Sequence, residues 1–205
     1  MEKKTLIIIG GLVLLGIVGM RAGSYINQPV VDGLPDSSPP PIVTNDGSGD
    51  VPGDWTKFED KNAHYSIFYP SDWMMDPALL ENRELKTFAT KESEPSQGLY
   101  LIQALPDPET SSLSYLDETY ATEFRNQALP NTLSEERVGI RGRDAISLEA
   151  KIKNIQTQET VTSYLLLIAA KDGKPGLAIT AIMRGPKEED IAAQIRQMTV
   201  SLRFL

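Results

Sequence analysis

The sequence predicts an α+β domain, a largely antiparallel sheet flanked by helices, and three observations carry that prediction. Short runs that alternate apolar and polar residues, or that are apolar throughout, recur between polar turns. Two segments instead space their apolar residues by threes and fours, the helical period. The regular pattern starts only near Trp55, after an uncharged N-terminal run and a proline-rich stretch that fit neither element.

The elements follow in chain order. WTKFE, Trp55 to Glu59, and YSIFY, Tyr65 to Tyr69, flank the polar turn DKNA and form a hairpin. KTFATK and GLYLIQAL come next as strands. In SSLSYLDETYATEFRNQ, Leu113, Leu116, Tyr120 and Phe124 make one apolar stripe on a helix. Ser111 or Ser112 caps its start, and Pro130 lies beyond its end.

DAISLEAKIK places Ile146, Leu148, Ala150 and Ile152 on one face and Ser147, Glu149, Lys151 and Lys153 on the other, a strand with one wet face. ETVTSYLLLIAA ends in an unbroken apolar run, Leu165 to Ala170, as expected of a central strand covered on both faces. DGKPG turns into the strand LAITAIM. In GPKEEDIAAQIRQMTVSLRFL, Gly185 and Pro186 suit a helix start, and Ile191, Ile195 and Met198 form its buried stripe. These elements make one globular domain, residues 54–205, with no internal repeat.

Residues 1–27 are expected to form a membrane anchor. Lys3 and Lys4 precede TLIIIGGLVLLGIVGM, sixteen uncharged residues from Thr5 to Met20, and Arg21 follows. At about 1.5 Å per residue that run covers about 24 Å of a bilayer core of about 30 Å. Arg21 can snorkel and Tyr25 suits the lipid interface, so a helix from Thr5 to Ile26 crosses. A cleaved signal peptide competes with this reading. The run exceeds the usual apolar region of about 7–15 residues, and GMRAGSY offers no clean pair of small residues for cleavage. In both readings the lysines stay cytoplasmic and the domain lies outside the cytoplasm.

Residues 28–53 read as a tether. Six prolines, four glycines and four aspartates in 26 residues cannot bury enough surface to offset ordering entropy. As a flexible coil it spans about 28 Å. NDGSGD within it lacks the spacing and closing glutamate of a calcium loop.

Cysteine is absent, which excludes disulfides, thiolate metal sites, cysteine nucleophiles and lipoprotein processing. From Asp54 onward, 17 basic residues face 23 acidic ones, a balance of about −6. That charge argues against nucleic acid as a partner and against adhesion to anionic lipid.

Three stretches together carry a family resemblance. The aromatic strand, polar turn and YSIFYPSDW at the domain start, then VGIRGRDAISLEA, Val138 to Ala150, and finally IAAQIRQMTVSLRFL resemble the PsbP-like family. That family comprises extrinsic subunits of photosystem II and their prokaryotic relatives. The resemblance covers most of the domain. It implies an α-β-α sandwich around an antiparallel sheet, in proteins that bind or help assemble other proteins and are not generally enzymes. It carries over no catalytic, cofactor-binding or metal-binding residue.

The candidate surface for a partner or ligand is His64, Trp73, Met74 and Met75. His64 is the only histidine, so any imidazole chemistry must use it. No nucleophile motif such as G-x-S-x-G accompanies it, and the simpler reading is a hairpin histidine with its ring in water. Trp73 with Met74 and Met75 can wall a pocket, and Trp73 can equally anchor the core where the chain turns after Pro70. Glu188, Glu189 and Asp190 point in different directions on a helix and complement its dipole instead of converging on a cation.

The expected function is therefore a non-catalytic, membrane-anchored binding or assembly module outside the cytoplasm. It needs no cofactor, and its partner is another membrane or exported protein. The alternative is a small-ligand-binding or hydrolytic domain with a pocket near Trp73 and His64.

Overall fold

The computed structural model describes residues 51–75, 85–90, 97–153 and 158–205. The expected anchor and all but the last three residues of the expected tether lie outside them. Among the described residues no helix is long and apolar enough to cross a membrane.

The strands pair antiparallel throughout, but in two sheets where the sequence suggested one. A small sheet runs in the order β1 (Thr56–Asp60), β2 (Tyr65–Tyr69), β10 (Arg203–Phe204). The large sheet starts with β3 (Trp73–Met75), β4 (Leu85–Thr90) and β5 (Gly98–Leu105). It continues with β9 (Gly176–Met183), β8 (Thr160–Ile168), β7 (Arg143–Lys153) and β6 (Ser134–Ile140). Its edge strand β6 is blunted by the exposed charges of Glu135, Glu136 and Arg137.

Between β5 and β6 the chain is helical. α1 (Leu113–Leu116) passes through a π-helical turn (Asp117–Ala121) into α2 (Thr122–Gln127). Ser112 is the cap, its Oγ accepting from the Tyr115 N–H at 3.3 Å, while the buried Ser111 donates to the Asp107 carbonyl at 2.7 Å. The Thr122 hydroxyl donates to the Asp117 carbonyl at 3.1 Å, an added bond at the wide turn. Arg125 binds both Asp117 and Glu135 at 2.6 Å, fastening these helices to β6.

The second helical region, α3 (Glu188–Val200), starts three residues after Gly185, which takes a φ of +83° before Pro186. Its first turn holds three acids and no side-chain cap. They do not act together, since Glu188 accepts from the Thr162 hydroxyl at 2.6 Å.

Helices cover both faces of the large sheet, and the run in β8 shows it residue by residue. Leu165 and Leu167 pack with Leu116 and Phe124, whereas Leu166 and Ile168 belong to the core that holds Ile191, Ile195 and Met198 of α3. The small sheet joins α3 on that second face through aromatic rings. Phe88 meets Phe58 at 5.5 Å, Tyr69 at 5.0 Å and Tyr100 at 6.4 Å between centroids. A buried charge pair adds to this seam, with Lys86 Nζ 3.9 Å from Asp60.

Candidate functional site

YPSDW resolves into a turn. The Trp73 N–H donates to the Pro70 carbonyl at 3.0 Å, which ends β2 and redirects the chain into β3. Strand alternation then sends Trp73 and Met75 toward α3 and Met74 to the opposite face. Trp73 is 1% exposed and Met74 51% exposed.

The indole lies across the start of β5. A Cβ on Gly98 would stand 3.0 Å from the indole ring and 2.8 Å from Ile191 Cγ2, so the glycine is what lets the ring pass. The indole N–H, the one polar group on that ring, donates to Gln194 Oε1 at 2.8 Å.

His64 is elsewhere. It is exposed in the β1–β2 turn with a φ of +55°, and its carbonyl accepts from the Leu205 N–H at 2.8 Å. The fold thus brings Trp73 and Met75 together, leaves Met74 on the far face of the same strand, and places His64 at the end of the other sheet.

A cleft of about 530 Å³ opens beside Trp73, along α3. Its walls are Asp72, Thr90, Gln97, Lys187, Asp190 and Gln194, with Ile191 and Ala193 the two apolar contributors. The Thr90 hydroxyl holds one rim, accepting from the N–H groups of Gln97 at 3.1 Å and Gly98 at 3.2 Å. His64 does not line it. Among the described residues no group of three His, Cys, Asp or Glu side chains converges for a metal ion.

A second cleft, about 270 Å³, lies where the β6–β7 and β8–β9 turns meet β10. Its cations come from three separated stretches, at 141–143, 171–174 and 203. Sequence reasoning missed it because nothing local marks a cluster whose members meet only in the folded chain. The one available signal was a pair of tight turns, IRGR and KDGK, each with basic residues at or beside the turn positions.

No protein family matches the chain as a sequence, and no curated protein does. Solved structures match it in shape. Cyanobacterial PsbP (CyanoP) from Synechocystis sp. PCC 6803 superposes with a TM-score of 0.51 at 12% identity, over 77% of this chain and 96% of that one. The Saccharomyces cerevisiae Ran-binding protein Mog1p gives a TM-score of 0.50 at 13% identity, over 73% and 95%. A Bacteroides thetaiotaomicron VPI-5482 protein gives 0.47 at 15% identity over 74% of this chain, which spans 49% of that longer one. At these identities the likeness is one of fold, and the fold is α+β of the PsbP and Mog1 kind.

Proposed function

We propose that the chain is a non-catalytic protein-binding or assembly module, and that a membrane or exported partner protein docks at the cleft along α3 beside the buried Trp73. The observation that carries this reading is the lining. Six of the eight residues around the cleft are polar or charged, with both signs present. Small-molecule sites are predominantly apolar with a few polar groups, whereas protein interfaces use mixed polar rims around a rigid anchor. Trp73 supplies the rigidity from beneath, bonded to Gln194 and wedged over Gly98. The yeast neighbour of the same fold is a Ran-binding protein, which supports protein recognition as a use of this architecture.

The N-terminal run supports a location. Two lysines before sixteen uncharged residues favour a single-pass anchor with the domain outside the cytoplasm, held on a proline-rich tether. Protease accessibility of the domain in intact cells tests that orientation.

Affinity purification of the full-length chain from gently solubilised membranes, with an anchor-plus-tether control, tests the function. Ala193→Trp fills the cleft from an exposed helix position. A protein recovered with the wild type and lost with Ala193→Trp supports the reading. Equal recovery with both places the interface elsewhere on the domain.

A further inference from the structure

The second cleft gathers Arg141, Arg143, Lys171, Lys174 and Arg203 around Phe204, with Asp172 the one carboxylate in its lining. Without these five cations and Asp172, the rest of residues 54–205 holds 12 basic and 22 acidic residues. The cleft is therefore a compact positive site on a strongly acidic domain.

Its geometry is fixed by the backbone. Arg141 and Gly142 take φ values of +52° and +75°, and Asp172 and Gly173 take +53° and +73°, so both hairpins close through two-residue turns of the type I′ kind. The two tips are joined, because Lys171 Nζ donates to the Gly142 carbonyl at 2.6 Å. β10 closes the third side, registered on β2 through Arg203 with Ser66 and Phe204 with Tyr65.

The cations are held by main-chain oxygens. Arg143 Nη1 donates to the Pro175 carbonyl at 2.8 Å while its guanidinium lies 3.6 Å from the centre of the Phe204 ring. Arg141 Nε donates to the Leu202 carbonyl at 3.3 Å, Arg203 Nη1 to the same carbonyl at 2.9 Å, and Lys174 Nζ to the Leu205 oxygen. For Arg143 and Lys171 these are peptide carbonyls, which orient a cation without cancelling its charge, whereas the Leu205 oxygen belongs to a carboxylate that offsets the charge of Lys174. Arg143 is only 5% exposed, and a guanidinium packed this far in favours an anionic partner. Burial pulls its pKa below the ordinary arginine value, with Asp172 opposing that shift only as the smaller influence.

We propose that this cleft is the docking point for a carboxylate-rich segment of the partner protein. The proposal rests on the protein-binding reading above and adds the chemistry of the partner. Size and charge select the occupant. At about 270 Å³ the cleft admits a few side chains, below the roughly 300–1,000 Å³ of sites that enclose a whole small ligand. An extended polyanion such as a membrane surface or nucleic acid would also lie against the acidic remainder, whereas a short acidic segment feels mainly the local field within a Debye length of about 8 Å. Guanidinium forks match carboxylates in pairs.

The test titrates full-length protein in detergent with a short fluorescein-labelled peptide of alternating Asp and Glu, and with its Asn and Gln counterpart. The acidic peptide is expected to bind saturably, with affinity falling steeply with salt and at least about tenfold weaker in the Lys171→Gln, Lys174→Gln double variant. Circular dichroism confirms that this variant folds, since both lysines lie on a surface turn. Unchanged affinity in the double variant, or equal binding of the amide peptide, overturns the proposal. Binding to vesicles rich in anionic phospholipid without binding to the peptide overturns it in favour of a membrane surface. Neither lysine lines the Trp73 cleft. If that cleft captures a partner while the peptide fails to bind, only the present inference falls.

Discussion

The indole N–H of Trp73 donates to Oε1 of Gln194 at 2.8 Å, tying the edge strand β3 to the middle of α3. Gln194→Leu strands this buried donor and is expected to cost about 1–3 kcal/mol. Trp73→Ala removes the ring as well and is expected to cost about 3–5 kcal/mol. Denaturant unfolding of the two variants checks both the order and the size.

Two buried tyrosines should respond in opposite directions to loss of their hydroxyls. Among the described residues the Tyr65 hydroxyl has no hydrogen-bond partner, so Tyr65→Phe is expected to leave stability unchanged or raise it by up to about 1–3 kcal/mol. The Tyr100 hydroxyl shares a 3.2 Å bond with Thr199, so Tyr100→Phe is expected to lose about 1 kcal/mol. Thermal melts of the pair decide it, and destabilisation by Tyr65→Phe would mean that its hydroxyl is satisfied in solution.

Alkali should unfold the domain through these same groups. Burial holds the phenols of Tyr65, Tyr100 and Tyr164 above the ordinary value of about 10, with Asp60 adding to the effect at Tyr65 and Thr199 opposing it at Tyr100. Below that value both folded and unfolded chains keep these protons, and the three groups contribute no pH dependence. Above it the unfolded chain releases protons that the folded chain retains, so stability falls as pH rises. Tyrosinate absorbance should therefore show exposed phenols titrating first and these three appearing only with unfolding.

Much of this fold is visible in the alternation of residues, and the exceptions share a cause. Ile146, Leu148, Ala150 and Ile152 face the core as their spacing indicates, and the unbroken run of β8 is apolar because both of its faces are covered. β3 and β10 escape notice because three and two residues are too few to show a period, and the seven-residue β6 because its Ser134, Glu135, Glu136 and Arg137 show no apolar alternation. The split into two sheets is equally hidden, since β2 and β4 have similar patterns and differ only in their partners. At the candidate site, Trp73 was legible as an anchor, but its bond to Gln194 joins residues 121 apart. The basic cleft depends on three such distant meetings.

Asp60 offers a further test of the seam between the sheets. Its Oδ1 accepts from the N–H groups of Asn62 and Ala63, each at 3.0 Å, while its other oxygen faces Lys86. Asp60→Ala removes both functions and is expected to cost about 3–5 kcal/mol. Asp60→Asn retains the acceptor for the turn and should lose less. Equal losses in chemical denaturation would assign the whole effect to the charge.

The pairing of β10 with β2 has a consequence for how the molecule comes into being. Ser201 bonds Phe68 across 133 residues, and Arg203 aligns with Ser66. The hairpin of β1 and β2 is synthesised early, yet its neighbouring strand emerges from the ribosome after every other described strand. Until then the β2 edge is bare, and the third wall of the basic cleft does not exist. Such long-range closure slows folding relative to local contacts. If the domain is exported as proposed, the surface proposed to receive a partner is the last part to be completed, so an incompletely translocated copy would present no assembled basic cleft.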